Sequence, residues 1–225
     1  MAKKKNKTKL DIIQAATRMF LEKGYTDTSL RAICDELEIS TGNLTFYFPS
    51  KEHLLALLTE MLCEHQWRMM EHAVDEGRTS LLALCLEMTA IAAICEESPI
   101  AKDFYLAMYT HPMTLEIIRR NDVEKAKRVF GEYCTDWKDT NFREAETLMS
   151  GIEFATMLTT ESSASLDVRI AGALGAVMMI YNVPADIRRI KIDKVLAMDY
   201  LAVGRNMLAE FIKYTQEANN AAANT

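Results

Sequence analysis

The chain has 225 residues, about half of them apolar and a quarter charged, with only 8 glycines and 4 prolines. That length buries the core of one or two domains, and the scarcity of Gly and Pro argues against a sandwich, a barrel or a disordered chain. The formal net charge of −6 is unevenly placed: nine Lys/Arg against seven Asp/Glu in residues 1–52 leave the remainder at −8. Lys3, Lys4, Lys5, Lys7 and Lys9 open the chain as a basic arm, so a polyanion would be met at that end only. Cys34, Cys63, Cys85, Cys95 and Cys134 form no C-x-x-C pair and read as buried free thiols of a reducing cytoplasm. No run of 18 apolar residues is present and the basic amino terminus lacks the apolar core of a signal peptide, so no membrane span is expected and the localisation expected is cytoplasmic.

Helical periodicity dominates, and no alternating strand pattern stands out. The expectation is an all-α chain of about nine to ten helices, divided into residues 1–50 and 51–225. The first helix runs from about Thr8 to Lys23, with Ile13, Ala16 and Phe20 as its stripe and Gly24 as its stop. Thr28 is read as the cap of a short second helix, and Ser40 as the cap of a short third. Phe48 precedes Pro49 and is pushed out of helical geometry, which ends the third helix. Ser50 caps a long fourth helix reaching roughly Glu76 before Gly77.

Leu81, Leu84, Cys85, Met88, Ile91, Ala92 and Cys95 stripe the fifth helix. Ser98-Pro99 and His111-Pro112 each read as a cap followed by proline at the first helical position. Asn141 with Glu144 suggests a capping box for the next helix, whose stripe is Leu148, Gly151, Ile152, Ala155 and Leu158. Ser165 caps a helix with apolar and small residues all round, broken at Asn182-Val183-Pro184. A last long helix carries Leu196, Tyr200, Val203, Met207, Phe211 and Tyr214, and the tail from Glu217 is expected to fray.

The second and third helices, joined by Glu38-Ile39-Ser40 and supported by the first, form a helix-turn-helix arrangement. Thr41, Asn43 and Thr45 are short polar groups that can approach a major groove closely. Asn pairs bidentately with adenine, and a threonine methyl meets the methyl of thymine. Amides at Thr28, Ser40 and Ser50, with Tyr47 and Lys51, are placed to hold phosphates. Phe46 and Phe48 are expected to lock the third helix onto the base of the fourth, with Tyr47 facing outward.

Residues 12–55, IIQAATRMFLEKGYTDTSLRAICDELEISTGNLTFYFPSKEHLL, resemble the DNA-binding domain of the tetracycline-repressor (TetR) family. The resemblance rests on Phe20, Glu22-Lys23-Gly24-Tyr25, Thr28-Ser29, Ile33, Ser40, Gly42, Leu44, Phe48 and Ser50-Lys51-Glu52. It implies a cytoplasmic homodimer whose three amino-terminal helices read palindromic operator DNA, and whose helical carboxy-terminal domain dimerises and binds an inducer. Thr28, Ser40, Thr41, Asn43, Tyr47 and Lys51 match the family's common DNA-contacting positions, and Gly42 matches the glycine that lets the reading helix approach DNA. Three residues depart from the family pattern. Glu38 stands where a turn glycine is usual, Thr45 where a tyrosine is usual, and Tyr47 where a histidine is frequent. Glu38 would then adopt left-handed geometry at a cost of roughly 1 kcal/mol.

Beyond residue 60 only the architecture resembles the family. The helices near 141–160 and 165–182 are expected to form much of a four-helix dimer interface. Trp67, Phe104, Tyr105, Met108, Tyr109 and Trp137 are candidate pocket residues, which with the many methionines suit an apolar or aromatic effector. His65, Met69 and His72 share a helical face near Cys63 without zinc-ligand spacing. No Gly-rich phosphate loop, Ser-His-Asp set or carboxylate pair is legible, so no catalytic residue, metal or cofactor is expected. The expected function is a DNA-binding regulator, a repressor released by a small molecule. The alternative is an all-helical enzyme or ligand carrier with a protein-docking amino-terminal bundle.

Overall fold

The computed structural model describes residues 2–74 and 80–223, with side chains over 8–74 and 80–217. Its described residues form eleven helices: α1 (Ala2–Lys23), α2 (Leu30–Leu37), α3 (Thr41–Tyr47), α4 (Lys51–Ala73), α5 (Leu81–Glu97), α6 (Pro99–Thr110), α7 (Pro112–Phe130), α8 (Asp139–Met157), α9 (Leu166–Ile180), α10 (Ala185–Leu196) and α11 (Tyr200–Ala223). The all-α expectation holds, and the helix number is slightly above the nine to ten expected.

The additional helix lies at the carboxy end. What the spacing suggests as one long helix through Leu196 and Tyr200 is two, parted at Ala197–Asp199. The Asp199 carboxylate accepts from the Ala202 amide at 3.1 Å and starts α11. At the other terminus α1 begins at Ala2, not near Thr8, because lysines tolerate helix well. The side chains of Lys3, Lys4, Lys5 and Lys7 lie outside the described residues, as does the stop expected at Glu76 and Gly77. The backbone stays helical from Glu217 to Ala223, where fraying is expected.

Local chemistry sets the corners. Ser29, not Thr28, caps α2, its hydroxyl accepting from the Ala32 amide at 3.1 Å. Ser98 closes α5 and opens α6, accepting from the Ala101 amide at 3.2 Å ahead of Pro99. Asn141 sits in the first turn of α8, its side-chain oxygen accepting from the Lys138 amide at 2.9 Å. Ser50 makes no cap bond; its hydroxyl meets His53 Nδ1 at 2.9 Å. Ser165 likewise makes no side-chain cap bond.

α5 is the buried axis of the larger bundle. It packs against α4, α6, α7, α8, α9, α10 and α11, and Leu82, Leu84, Cys85, Leu86, Met88 and Ala92 on it are all buried. α11 crosses it closely at Gly204, where a Cβ would meet the Ala90 carbonyl oxygen at 2.7 Å. α11 also lies along α1, which ties the amino-terminal helices to the body. All five cysteines are free and buried.

The core face of α8 is Phe142, Ala145, Met149 and Met157. The stripe read from sequence lies on the other side: Leu148 is 57% exposed, Leu158 46%, and Gly151 and Ala155 are open. α9 shows the same division. Ile170, Leu174, Val177 and Met178 are buried, while Val168, Gly172 and Met179 face outward.

Candidate nucleic-acid interface and the cavity behind it

α2 ends in a left-handed turn. Glu38 has φ 53° and ψ 39°, and the Ile39 amide donates back to the Cys34 carbonyl at 3.0 Å. That six-to-one bond fixes the angle at which α3 leaves. Ser40 then caps α3, its hydroxyl accepting from the Asn43 amide at 3.2 Å. Leu44 and Phe48, one turn apart, are buried against the small core of Ile13, Ala16, Phe20 and Ile33.

The opposite side of α3 is exposed: Ser40, Thr41, Gly42 and Asn43 face solvent, and nothing lies within 4 Å of a Cβ placed on Gly42. Thr45 is half-buried and its hydroxyl donates to the Thr41 carbonyl at 3.0 Å, which leaves its methyl as the chemically distinctive group. The aromatic triplet is arranged differently from expectation. Phe46 is 67% exposed, and Tyr47 is the half-buried one, packed against the core edge with the Phe46 ring 5.1 Å away and edge-on. Phe48 alone locks α3 inward, because only position 48 is one turn from Leu44.

Thr28 and Lys51 are turned inward. The Thr28 hydroxyl is buried and donates to the Gly24 carbonyl at 2.7 Å. The Lys51 ammonium donates to the carbonyls of Tyr25 at 2.9 Å and Thr28 at 3.0 Å, and lies 4.1 Å over the Tyr25 ring. Burial lowers its pKa. Lys51 thus pins the α1–α2 loop to the start of α4. Asp103 on α6 holds the same loop from the other side: it accepts from the Thr26 amide at 2.8 Å and the Thr26 hydroxyl at 2.5 Å. Gly24 makes room for it at φ 97°, where a Cβ would approach the Asp103 carboxylate at 3.0 Å.

Behind this head, a small cavity of about 20 Å³ lies among α4, α5, α6, α7 and α8. Tyr105, Met108 and Tyr109 line it, as the sequence suggests. Trp67 does not; it lines an open cleft of about 300 Å³ between α4 and α7 that shares Cys63, Asp122 and Lys125 with the cavity. Phe104 packs toward the head, 6.5 Å from Phe20. Trp137 belongs to a distant aromatic cluster with Phe142 and Tyr181. His65 stacks on Tyr214 at 5.0 Å, so the His65 and His72 face is packing and surface.

Beside Cys63, Gln66, Ile91 and Ile118, the lining holds four charged residues, Glu87, Asp122, Lys125 and Glu153, which neither periodicity nor composition reveals. Lys125 donates to Glu87 at 2.8 Å and Asp122 at 2.9 Å, with all three side chains at least nine-tenths buried. Burial would lower the Lys125 pKa, yet the two carboxylates raise it well above its ordinary value. Gln66 donates its amide to Glu87 at 2.7 Å, and Tyr109 its hydroxyl to Glu153 at 2.8 Å. Burial, then the Asp122 charge, pushes Glu153 up to about 8 and Glu146 well above the carboxylate range.

Residues 12–58 match the family of bacterial regulatory proteins described as the tetR family. The HTH-type transcriptional regulator YuxN of Bacillus subtilis (strain 168) is 51% identical over 87 residues, 39% of this chain and 30% of that protein. The HTH-type transcriptional regulator HbdR of Aromatoleum sp. (strain CIB) is 28% identical over 109 residues, 48% of this chain and 46% of that one. The chain thus spans less than half the length of these curated relatives. The crystal structure of a TetR-family transcriptional regulator from Pectobacterium atrosepticum superposes with a TM-score of 0.51 at 16% identity, covering 79% of this chain and 93% of the other, which is a likeness of fold. The turn at Glu38, the capped α3 and its inward anchors at Leu44 and Phe48 all fall within the residues 12–58 that match the tetR family, so the likeness to that family is that of the amino-terminal unit.

Proposed function

We propose that the chain is a dimeric, ligand-responsive transcriptional repressor that reads operator DNA with α3. The observation that carries this reading is the α3 surface itself. A capped seven-residue helix exposes Ser40, Thr41, Gly42 and Asn43 while Leu44 and Phe48 hold it from behind. Asn43 is the base reader, with Thr45 and the exposed Phe46 ring offering apolar contact to thymine methyls. Ser40, Tyr47 and the amino terminus of α4 hold phosphates. Thr28 and Lys51 act chiefly as struts that set the height of α3. Two of the three ammonium donors of Lys51 are spent on carbonyls, and the third serves a phosphate.

The partner copy sits on the exposed apolar face of α8 and α9. Leu148, Leu158, Val168 and Met179 are all more than two-fifths exposed, and Gly151, Gly172 and Gly175 have nothing within 4 Å of a built Cβ. Such a patch on a monomer signals association, and the glycines permit close helix approach across a two-fold axis. Two heads about 34–36 Å apart then meet successive turns of a palindrome.

Selection of bound duplexes from a random pool, followed by gel retention of Asn43→Ala and Lys51→Ala, tests the reading. Asn43→Ala relaxes the base preference at one position at a cost of about 1–3 kcal/mol, whereas Lys51→Ala weakens all sequences alike. Retention of no duplex at low salt overturns the reading and favours a protein-docking head.

A further inference from the structure

The polar atoms in and beside the small cavity do not all find partners. Glu146 on α8 is fully buried, and neither of its carboxylate oxygens has a hydrogen-bond partner. Gln66 Oε1 and the Tyr105 hydroxyl, which line the cavity from α4 and α6, are buried and equally unpartnered. One carboxylate oxygen from each of Asp122, Glu146 and Glu153 lies within 4.8 Å of the other two.

A buried carboxylate needs either a proton or a cation. A proton removes the charge at Glu146 but still leaves its carbonyl oxygen without a donor. The Lys125 ammonium is no remedy either, being bonded to Glu87 and Asp122. Arg119 is turned to the Ser150 hydroxyl at 3.1 Å. An ion answers all three oxygens together. Oxygens on opposite sides of one hard cation stand roughly 4–5 Å apart, the spacing that these three carboxylates allow. The cavity of about 20 Å³, which Asp122, Glu153 and Gln66 line, has room for one water-sized species and no organic effector, and Glu146 adjoins it through the oxygen within 4.8 Å of theirs. The open cleft of about 300 Å³, which shares Cys63, Asp122 and Lys125 with the cavity, supplies a path from solvent.

We propose that Asp122, Glu146 and Glu153 bind one divalent cation of the oxygen-preferring class, with Gln66 Oε1 as a neighbouring neutral donor. All-carboxylate donors suit Mg²⁺, Mn²⁺ or Ca²⁺, not zinc or copper. The ion joins α7 to α8 next to the pair that joins α7 to α5. The inference deepens the regulator reading and rests on it only for the consequence that occupancy reaches the DNA-reading head; binding itself does not depend on DNA.

Mn²⁺ is the probe, since its free ion gives a paramagnetic resonance signal that is lost on binding. The chelator-stripped full chain is titrated with Mn²⁺ and then with competing Ca²⁺. The expected result is one Mn²⁺ per chain, displaced by Ca²⁺, with a rise in melting temperature on loading. Glu146→Gln and Glu153→Gln each weaken binding ~10-fold or more, while Glu144→Gln on the exposed side of α8 leaves it unchanged. Circular dichroism identifies a variant that has lost its helices, and having two glutamine variants keeps the test decisive. No retained Mn²⁺, as when a water alone fills the space, overturns the proposal, as does binding unaltered in both variants. Gel retention on the same preparation separates the two readings. Duplex bound without Mn²⁺ affinity sinks the cation site alone, and Mn²⁺ bound without any duplex affinity sustains it while sinking the regulator.

Discussion

Glu38 occupies the left-handed region at φ 53°, ψ 39°, at the end of α2, and it is exposed. An L side chain there brings Cβ against the following carbonyl at about 1–2 kcal/mol, and glycine removes that contact. Glycine also widens the unfolded ensemble, which takes back about 0.4–1 kcal/mol. Glu38→Gly is therefore expected to stabilise the chain by about 0.5–1 kcal/mol. For a chain of this size that is a rise in Tm of about 1–4 °C. Glu38→Ala keeps the Cβ and gains nothing, and Glu38→Asn falls between, because Asn tolerates this region. The assay is thermal and urea unfolding of the three variants beside the parent, with gel retention as the check on the DNA reading proposed for α3. An equal gain from alanine would trace the effect to the lost charge and refute the strain argument, as would a loss of stability with glycine.

Phe46→Ala is expected to change stability by less than about 0.5 kcal/mol, because the ring is 67% exposed, yet to weaken duplex retention measurably. Asp103→Ala removes the acceptor for the Thr26 amide and hydroxyl and is expected to cost about 1–2 kcal/mol in urea unfolding, discounted for exposure, while also weakening retention from outside the reading helix. Leu148→Glu combined with Met179→Glu puts charge on the open face of α8 and α9; sedimentation is expected to show monomers, with DNA retention lost and helical content kept.

The reading head was legible in sequence because its information is local. Caps at Ser40, the glycine stop at Gly24 and the Phe48-Pro49 break each act within a turn of themselves. The Phe46 and Tyr47 assignment failed for a reason also present in the sequence: Leu44 and Phe48 share a face, which turns residue 46 away from it. The division of α10 from α11 carries neither Gly nor Pro; Asp199, three residues before Ala202, was the available signal. On α8 the helix was expected at a subunit interface, and its stripe residues Leu148 and Leu158 stand exposed; the part not read was the separate core face of Phe142, Ala145 and Met149, since periodicity alone cannot distinguish a core from an interface. The buried charges were invisible for a deeper reason. Glu146 and Glu153 lie two turns apart on one helix, but Asp122, Glu87 and Lys125 join them only when α5, α7 and α8 assemble.

That assembly constrains how a signal could leave the cavity. α6 carries Tyr105, Met108 and Tyr109 on the cavity side and Asp103 on the loop side. α4 carries Cys63 and Gln66 at the cavity and Lys51 at its first residue. The loop between α1 and α2 is therefore held by two different helices, both of which also wall the cavity. Were α4 and α6 to move as one body, the loop would travel with them and the head would keep its shape. A displacement of one against the other pulls Tyr25 and Thr28 from Lys51 or Thr26 from Asp103, and the support under α3 changes. Occupancy matters only to the extent that it prefers one arrangement of these two helices, and each tenfold shift between them requires about 1.4 kcal/mol of differential binding. An ion bridging α7 and α8 makes no contact with α6 and reaches α4 only through Gln66, which is bonded to Glu87 and has Oε1 unsatisfied, so Gln66 is the α4 group placed to sense it.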